Sequence, residues 1–535
     1  MLPLNNHSYY SILQSTLSPQ KIVELSIANK VNYAALTDIN GMYGLIQFSK
    51  YAIEKGVKPI IGSEIEDPND SSLRAIFIAK NNAGYSKLCL LITMRKLKDD
   101  FKILDLFDEQ LQDLFIITSS LEILQKMNQN NLNKENCFVE LILSKKRKNL
   151  TRKLFEFAKK NNFRVIASHP VFFETKDDYT LLKILLAIKN RKTIDNIAEE
   201  ELIDEEYYFK TSSEFENQWN KLPESLESID FIVRNCNVDM NFSKLKFPVF
   251  PIDNHQSAYE ILREKTYEGM LEKYPNAEEN VIRRLEYELE VINELGFNDY
   301  FLIVWDIVQE AKRRNMMIIG RGSAANSLVA YCLGFTQVDP IRYNLYFERF
   351  LNRGRSSPPD VDLDFSWKER DEIVKYVFEK YGYDKVAMIS THITFRARSA
   401  LREVAKVFGV PDSEISKFSK LIPWTSAKNL PDISKKFPEA KELKFDTEPW
   451  ISIINYASKL SSIPRHLSIH PSGIVISPEP INRYVALEFA KNKGLGLIIT
   501  QPDMYSIEDF GLVKIDLLSQ RSLSVLKDTL MKLKE

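Results

Sequence analysis

The chain of 535 residues is poor in glycine, with 17, and poorer in cysteine and histidine, with four and six. Cys89, Cys137, Cys236 and Cys332 are scattered without a Cys-x-x-Cys pair, so neither a thiolate zinc site nor a disulfide framework is suggested. Neither sign of charge prevails. Lysine and arginine number 72 against 73 aspartate and glutamate, a formal net charge of −1, so any contact with nucleic acid has to come from local basic clusters. The longest apolar run, around Tyr300-Phe-Leu-Ile-Val-Trp305, is far short of a membrane span. The N-terminus, Met1-Leu-Pro-Leu-Asn-Asn-His7, has no basic region leading into an apolar core. A cytoplasmic protein without a membrane partner is expected. The length exceeds what one hydrophobic core supports and predicts roughly two to four domains.

Against that even background one stretch stands out, Pro359-Asp360-Val361-Asp362-Leu363-Asp364-Phe365. Carboxylates alternating with apolar residues at period two predict a strand with the three acids on one face and Val361, Leu363 and Phe365 on the other. Like charges crowded on one face cost stability unless a cation neutralises them, and a divalent-metal site answers that need. A strand rises roughly 3.3 Å per residue, so adjacent acids can serve two metals about 3.5–4 Å apart while the third is left supporting. A calcium loop of the EF-hand type is excluded, because its sixth and twelfth positions, Gly and Glu, are here Phe365 and Asp371. The alternative is a solvated acidic face.

Residues 1–245 alternate apolar runs with amphipathic helical patterns. Val31–Leu36, Val57–Ile61, Arg74–Ala79, Leu114–Ile117 and Phe163–Ala167 read as strands, and Pro19–Lys30 and Leu150–Asn161 as helices between them. That order predicts a parallel α/β domain of barrel type. Phe247-Pro-Val-Phe-Pro251 reads as a connector, Ala258–Asn315 as helix-rich, Arg370–Ala457 as helical, and Ile474–Ile476, Leu497–Ile499 and Leu512–Ile515 as strands.

Two of the few glycines fall in Gly320-Arg321-Gly322-Ser323, between Met316–Ile319 and a helix-like Asn326–Tyr331. A small-residue loop opening a helix offers free backbone N–H groups to a phosphate, though a plain turn has the same composition. In Val513-Lys514-Ile515-Asp516, alternation puts Lys514 and Asp516 on one face, a cation for phosphate beside a carboxylate for metal. Arg396, Arg398 and Arg402 cluster at the start of a predicted helix, and Arg465, His466 and His470 lie in Pro464-Arg-His-Leu-Ser-Ile-His-Pro471. Both groups suit a nucleic-acid backbone, and solvated or packing residues are the alternative.

Together these motifs resemble the C family of DNA polymerases, the bacterial replicative alpha subunits. The likeness is carried by Ile319–Tyr331, Phe347–Asn352, Pro359–Phe365, Pro464–Gly473 and Gly511–Asp516, with a weaker likeness from residue 1. The resemblance implies a multidomain α/β and α+β fold. It places a PHP domain (a distorted β/α barrel) at 1–245, the first part of a nucleotidyltransferase-type palm at 246–393, an inserted helical thumb at 394–471 and the second part of the palm at 472–535. It implies DNA-directed DNA polymerase activity by two-metal transfer, with Asp360, Asp362 and Asp516 as catalytic residues holding two Mg²⁺ ions. Arg321, Gly322, Ser323, Arg349 and Lys514 would bind the dNTP phosphates, and Arg396, Arg398, Arg402, Arg465 and His466 the DNA. Primer–template DNA, dNTPs and other replisome subunits are the implied partners.

Two departures qualify that picture. The metal signature of the PHP domain is eroded: His-x-His is Asn5-Asn6-His7, Asp-His is Asp38-Ile39, a later Asn-Asp-x-His is His169-Pro170-Val171-Phe172, and Glu64 survives. Too few ligands remain for a multinuclear site, so a structural PHP domain without a cofactor is expected, with His7 and Glu64 engaged in hydrogen bonds. The sequence also ends nineteen residues after Asp516, where the family's fingers would follow. The expectation is therefore a polymerase portion completed by a second chain carrying the fingers, or a catalytically incomplete DNA-binding or scaffold fragment.

Overall fold

A computed structural model of the chain describes residues 1–130, 132–242, 244–252, 256–354, 359–490 and 497–534. It divides into two compact units: Met1–Met240 with Thr391–Ser468 and Val485–Asn492, and Asn241–Ser390 with Ile469–Tyr484 and Lys493–Glu535. Both mix helix and sheet, as expected.

The first unit is built on a six-stranded sheet in chain order, β1 (Tyr33–Leu36), β2 (Lys58–Glu66), β3 (Arg74–Ala79), β4 (Leu114–Thr118), β5 (Cys137–Ile142) and β6 (Arg164–Ser168). Every residue of β1, β4 and β5 is buried, the mark of strands covered on both faces. Helices between them begin where the sequence supplies caps. Ser18 accepts the Lys21 N–H ahead of Pro19–Ala28, and Asn81 accepts that of Gly84 ahead of Asn82–Leu97. The expected all-parallel order is corrected, because β3 runs antiparallel to both β2 and β4. Only residues 67–73 join β2 to β3, too few for the dozen-residue crossover a parallel pair needs. β5, absent from the sequence reading, carries Glu140 in an otherwise apolar stretch.

Thr391–Ser468 packs within this same unit. The helix Ala397–Val407 buries Ala400, Leu401 and Val404 against Leu181, Ile184 and Leu185 of the helix Tyr179–Asn190 and against Ile453 and Ala457 of the helix Trp450–Lys459. Phe395–Ile463, within the stretch expected as the thumb, thus share a continuous core with the helix Tyr179–Asn190.

In the second unit the helices Ala258–Lys273, Glu279–Glu294 and Asn298–Arg313 precede the sheet, in the region expected to be helix-rich. Its strands are β7 (Ile318–Arg321), β8 (Asp362–Ser366), β9 (Val386–Thr394, as far as Ser390), β10 (Pro464–Ile476, from Ile469), β12 (Ile498–Asp503) and β13 (Lys514–Gln520), in spatial order β12-β9-β10-β13-β8-β7. The short β11 (Leu487–Phe489) falls between β10 and β12 in the chain and belongs to the first unit. Two expectations are corrected. Val386–Thr394, expected in a helix, is a nine-residue strand, as its β-branched Val, Ile and Thr residues favour. Gly320 and Arg321, expected in a loop, close β7, and a 3₁₀ turn follows from Gly322 to Asn326. Glycine is required at 320, where an added Cβ would stand 1.8 Å from the Phe335 carbonyl oxygen. No helix among the described residues is long and apolar enough to cross a membrane.

Candidate metal and phosphate site

The acidic heptapeptide folds as its alternation predicts. Val361, Leu363 and Phe365 are wholly buried, while Asp360 is exposed and Asp362 half-buried on the other face. β13 lies beside β8 in parallel, and its register sets Asp516 opposite Asp362. β10 pairs with the other side of β13 and sets Gly473 opposite Asp516. Carboxylate oxygens of Asp360, Asp362 and Asp516 thereby come within 4.8 Å of one another. Asp364 sits a step further along, 3.3 Å from Arg321 Nε and 3.4 Å from the donating amide of Gln520, a supporting place.

The acids need compensation, and part of it is built in. Burial first, then Asp360 and Asp516, push the Asp362 carboxyl above its usual range, while Arg321 and Lys514 work against the shift. Lys514 Nζ lies 2.6 Å from Asp516 Oδ2 and 3.7 Å from Glu508. Burial disfavours its charge, but Asp516, Asp360 and Glu508 together outweigh burial and raise its pKa. Arg321 Nε stands 3.8 Å from Asp362. Gly322, at a positive φ of 76°, brings the backbone to the rim of the cluster, where a Cβ would meet Asp362 Oδ2 at 3.7 Å.

The sequence reading missed the residues that aim Asp516. Ser472, buried on β10, donates from Oγ to Asp516 Oδ1 at 2.6 Å. The Gly473 N–H donates to His470 Nδ1 at 2.8 Å, which leaves the neutral ring's proton on Nε2. Arg370, 7% exposed, donates to the Leu517 and Pro471 carbonyls at 3.0 and 3.1 Å and ties β13 to β10. Only the register of a strand pair reveals Ser472, since 44 residues separate it from Asp516.

Three carboxylates converging from two strands, with oxygen donors only and fewer cations than acids in contact, form a donor set that fits a hard divalent ion. Of the expected phosphate ligands, Arg321, Gly322 and Lys514 border the cluster. Ser323 follows directly in the 3₁₀ turn, and Arg349 is exposed at the end of the turn Phe347–Arg349.

The expected DNA-binding residues belong to the first unit. Arg396 is exposed, with its guanidinium 4.9 Å from the Trp424 ring centroid. Arg398, also exposed, donates to the Ile422 carbonyl. Arg402 reaches Ser419 at 3.2 Å and Asp412 at 3.5 Å, and Arg465 is ion-paired with Glu403. His466 is exposed on β10. The extended backbone there puts His466 and His470 roughly 13 Å apart, which rules out their sharing a metal.

The first unit holds a second polar cluster, its carboxylates buried and Arg74 partly so. Arg74 ion-pairs with Glu64 and lies 3.2 Å from Glu140, which also accepts from Asn5 and Ser168 at 2.9 and 2.8 Å. Burial opposes the Glu140 charge, but Arg74, Arg147, Ser168 and Asn5 hold its pKa below the usual value. One guanidinium does not serve both acids equally, and burial lifts Glu64 to about 7. Asp38 accepts from Ser8 N, Ser8 Oγ and Ser11 Oγ, each at 2.7 Å, yet burial still raises it to about 7. Glu64 is engaged as expected. The expectation for His7 is corrected: neither ring nitrogen has a partner in hydrogen-bonding geometry among the described residues. The ring stacks on Phe172 at 4.2 Å, and burial lowers its pKa to about 3. Phe172 offers a face where a polar side chain would have offered a bond.

Comparison with known proteins agrees with this architecture. Residues 3–167 match the PHP domain family and residues 260–519 the family described as bacterial DNA polymerase III alpha NTPase domain. DNA polymerase III subunit alpha of Bacillus subtilis is 34% identical across 98% of this chain and 48% of its own length. The subunit of the same name from Ureaplasma parvum is 33% identical across 98% and 51%. An error-prone DNA polymerase of Symbiobacterium thermophilum is 29% identical, again across 98% and 51%. The chain spans about half the length of the curated relatives it matches. With both domain families in order and this likeness along nearly its full length, the chain belongs to the bacterial DNA polymerase III alpha family.

Proposed function

We propose that this chain carries the catalytic palm of a DNA-directed DNA polymerase, which joins a dNTP to a primer 3′-hydroxyl on template DNA during replication. The observation that carries the reading is the meeting of Asp360, Asp362 and Asp516 within 4.8 Å, beside Lys514 and Arg321. Bound there, a pair of Mg²⁺ ions would supply Lewis acidity toward the primer oxygen and the triphosphate.

The chain's own residues do the positioning. Asp360 and Asp362 hold their oxygens to the open side, while Ser472 Oγ fixes one oxygen of Asp516. In the absence of substrate Lys514 neutralises the other oxygen, and with triphosphate present it turns its charge to a phosphate. Arg321, Gly322, Ser323 and Arg349 complete the phosphate grip. In this reading residues 246–393 and 472–535 form the palm and 394–471 the thumb, whose exposed Arg396, Arg398 and His466, with Arg402 and Arg465, meet the DNA backbone. The PHP domain is structural, its cation supplied by Arg74. Fingers and further replisome subunits are partners of the site.

Primer extension with Mg²⁺ tests this. Template-directed extension that disappears in Asp360→Ala is expected. Extension that survives the substitution overturns the assignment. Tight primer–template binding with no extension, alone or with a fingers-bearing chain, assigns a scaffold role instead. Phosphate release that survives Asp360→Ala but is lost in Glu64→Ala would make the PHP domain the catalytic part.

A further inference from the structure

In the first unit lies a cavity of about 780 Å³. Its floor is apolar, with Leu141, Phe155, Trp219 and Leu222. Its rim is basic: among the described residues it carries four lysines and an arginine against a single carboxylate, Glu206. A concave apolar site with a few convergent polar groups is the usual form of a ligand pocket.

Two of those polar groups have no hydrogen-bond partner among the described residues. Lys210 is only 4% exposed, and no residue among those described forms a hydrogen bond or salt bridge with its ammonium, which has the Tyr208 ring 5.7 Å away as its contact. Glu206 is its strongest electrostatic partner but stands outside ion-pairing distance, and burial lowers the lysine's pKa. The ammonium itself reaches solvent although the rest of the side chain is buried, and with Glu206, Glu214 and Asp204 all outside ion-pairing distance it is open to an anion supplied from outside. Ser144 Oγ is buried without a partner, at the start of the turn Lys145–Arg147 that leads into the helix Lys148–Asn161. That helix has no acidic residue in its first turn and no side-chain cap, so its positive end adds to the field.

We infer that this cavity is a binding site for an amphipathic carboxylate, its head on Lys210 and Ser144 and its apolar body over Leu141, Phe155 and Trp219. A lone phosphate would leave the apolar floor uncovered. A neutral apolar ligand would leave Lys210 without its counter-charge.

Calorimetric titration of the intact chain with octanoate, and with octanol as the neutral counterpart, tests the assignment. A peptide ending in Leu-Phe, as free acid and as amide, is the second arm. Expected is binding of a carboxylate form that exceeds its neutral counterpart at least tenfold. That preference should vanish in Lys210→Met, and all binding should vanish in Leu143→Trp, which fills the mouth from an exposed position and spares the fold. Tighter binding of octanoate assigns the site to a small acid, and tighter binding of the free-acid peptide assigns it to a chain terminus. No binding in either arm, equal binding of neutral and acidic forms, or an unchanged preference in a folded Lys210→Met protein overturns it.

Discussion

The two acidic clusters use the same residue types under opposite conditions. Around Arg74, carboxylates are sealed from water and the cation is part of the chain. Around Asp362, three acids face a half-open rim, and the cations beside them, Arg321 and Lys514, hang from side chains that can move away. A buried carboxylate pair closed by a guanidinium is committed to holding the fold, because removing either partner strands a charge in low dielectric. An under-compensated cluster at the surface keeps its capacity for an outside ion. Acid count alone does not separate structure from chemistry; burial and the source of the counter-charge do.

The comparison breaks first at Asp362. Asp362→Asn should lower nucleotide incorporation on the order of 10³-fold with little change in unfolding temperature, because the half-buried side chain carries charge for the site rather than packing. Steady-state incorporation and calorimetry on the same protein check both halves. A matching test is Mn²⁺ titration, in which binding should fall with Asp516→Asn and stay unchanged with Glu64→Gln.

Arg74→Met should do the reverse. Loss of the cation that pairs with both Glu64 and Glu140 is expected to cost about 3–5 kcal/mol in denaturant unfolding of the first unit, without creating phosphatase activity.

The buried cluster should also impose a pH dependence. Asp38 and Glu64 titrate near 7 in the folded chain, above their unfolded values, so the folded state holds more protons between about pH 4 and 7 and stability falls as pH rises through that window. His7, lowered to about 3, acts the other way, and its contribution is lost as pH falls from 6.5 toward 3. Between pH 6.5 and 8 the two acids are expected to contribute a decline of roughly 1–2 kcal/mol, read as the difference from an Asp38→Asn, Glu64→Gln protein that shares the opposing contribution of the lowered histidines. A pH slope unchanged in that double variant would contradict the raised carboxyls.

The smallest effect belongs to Ser472→Ala. Asp516 would keep Lys514 but lose the hydroxyl that orients it, and a roughly tenfold drop in incorporation is expected, with metal affinity shifted alike.

Local alternation made the two strands of the Asp362 cluster readable, since Val361, Leu363 and Phe365 demand one face and leave the acids the other. The pairing of β8 with β13 was not readable from local pattern, because partners 154 residues apart (516 − 362) are chosen by the packing of the whole sheet. The same limit hid Ser472 and Arg370. Val386–Thr394 misled because a strand followed by an arginine-rich helix offers little punctuation, no glycine or proline between Lys385 and Phe408. In the first unit the eroded ligand positions were visible in sequence, but Arg74 was not. Nothing in Arg-Ala-Ile-Phe-Ile-Ala says that its first residue turns inward, and only the register Ile65↔Ala75 and Glu66↔Arg74 brings that end of β3 to Glu64's strand.

The side-by-side placement of Asp362 and Asp516 makes the centre a matter of counting. Strand pleating reverses direction at every residue, so one codon inserted into either β8 or β13 would swing a carboxylate into the hydrocarbon layer and lift a core residue to the rim. Codons gained or lost between these strands, outside the sheet, carry no such consequence. Viable length variation in this lineage should therefore collect in connecting segments and spare Asp360–Ser366 and Lys514–Gln520 altogether.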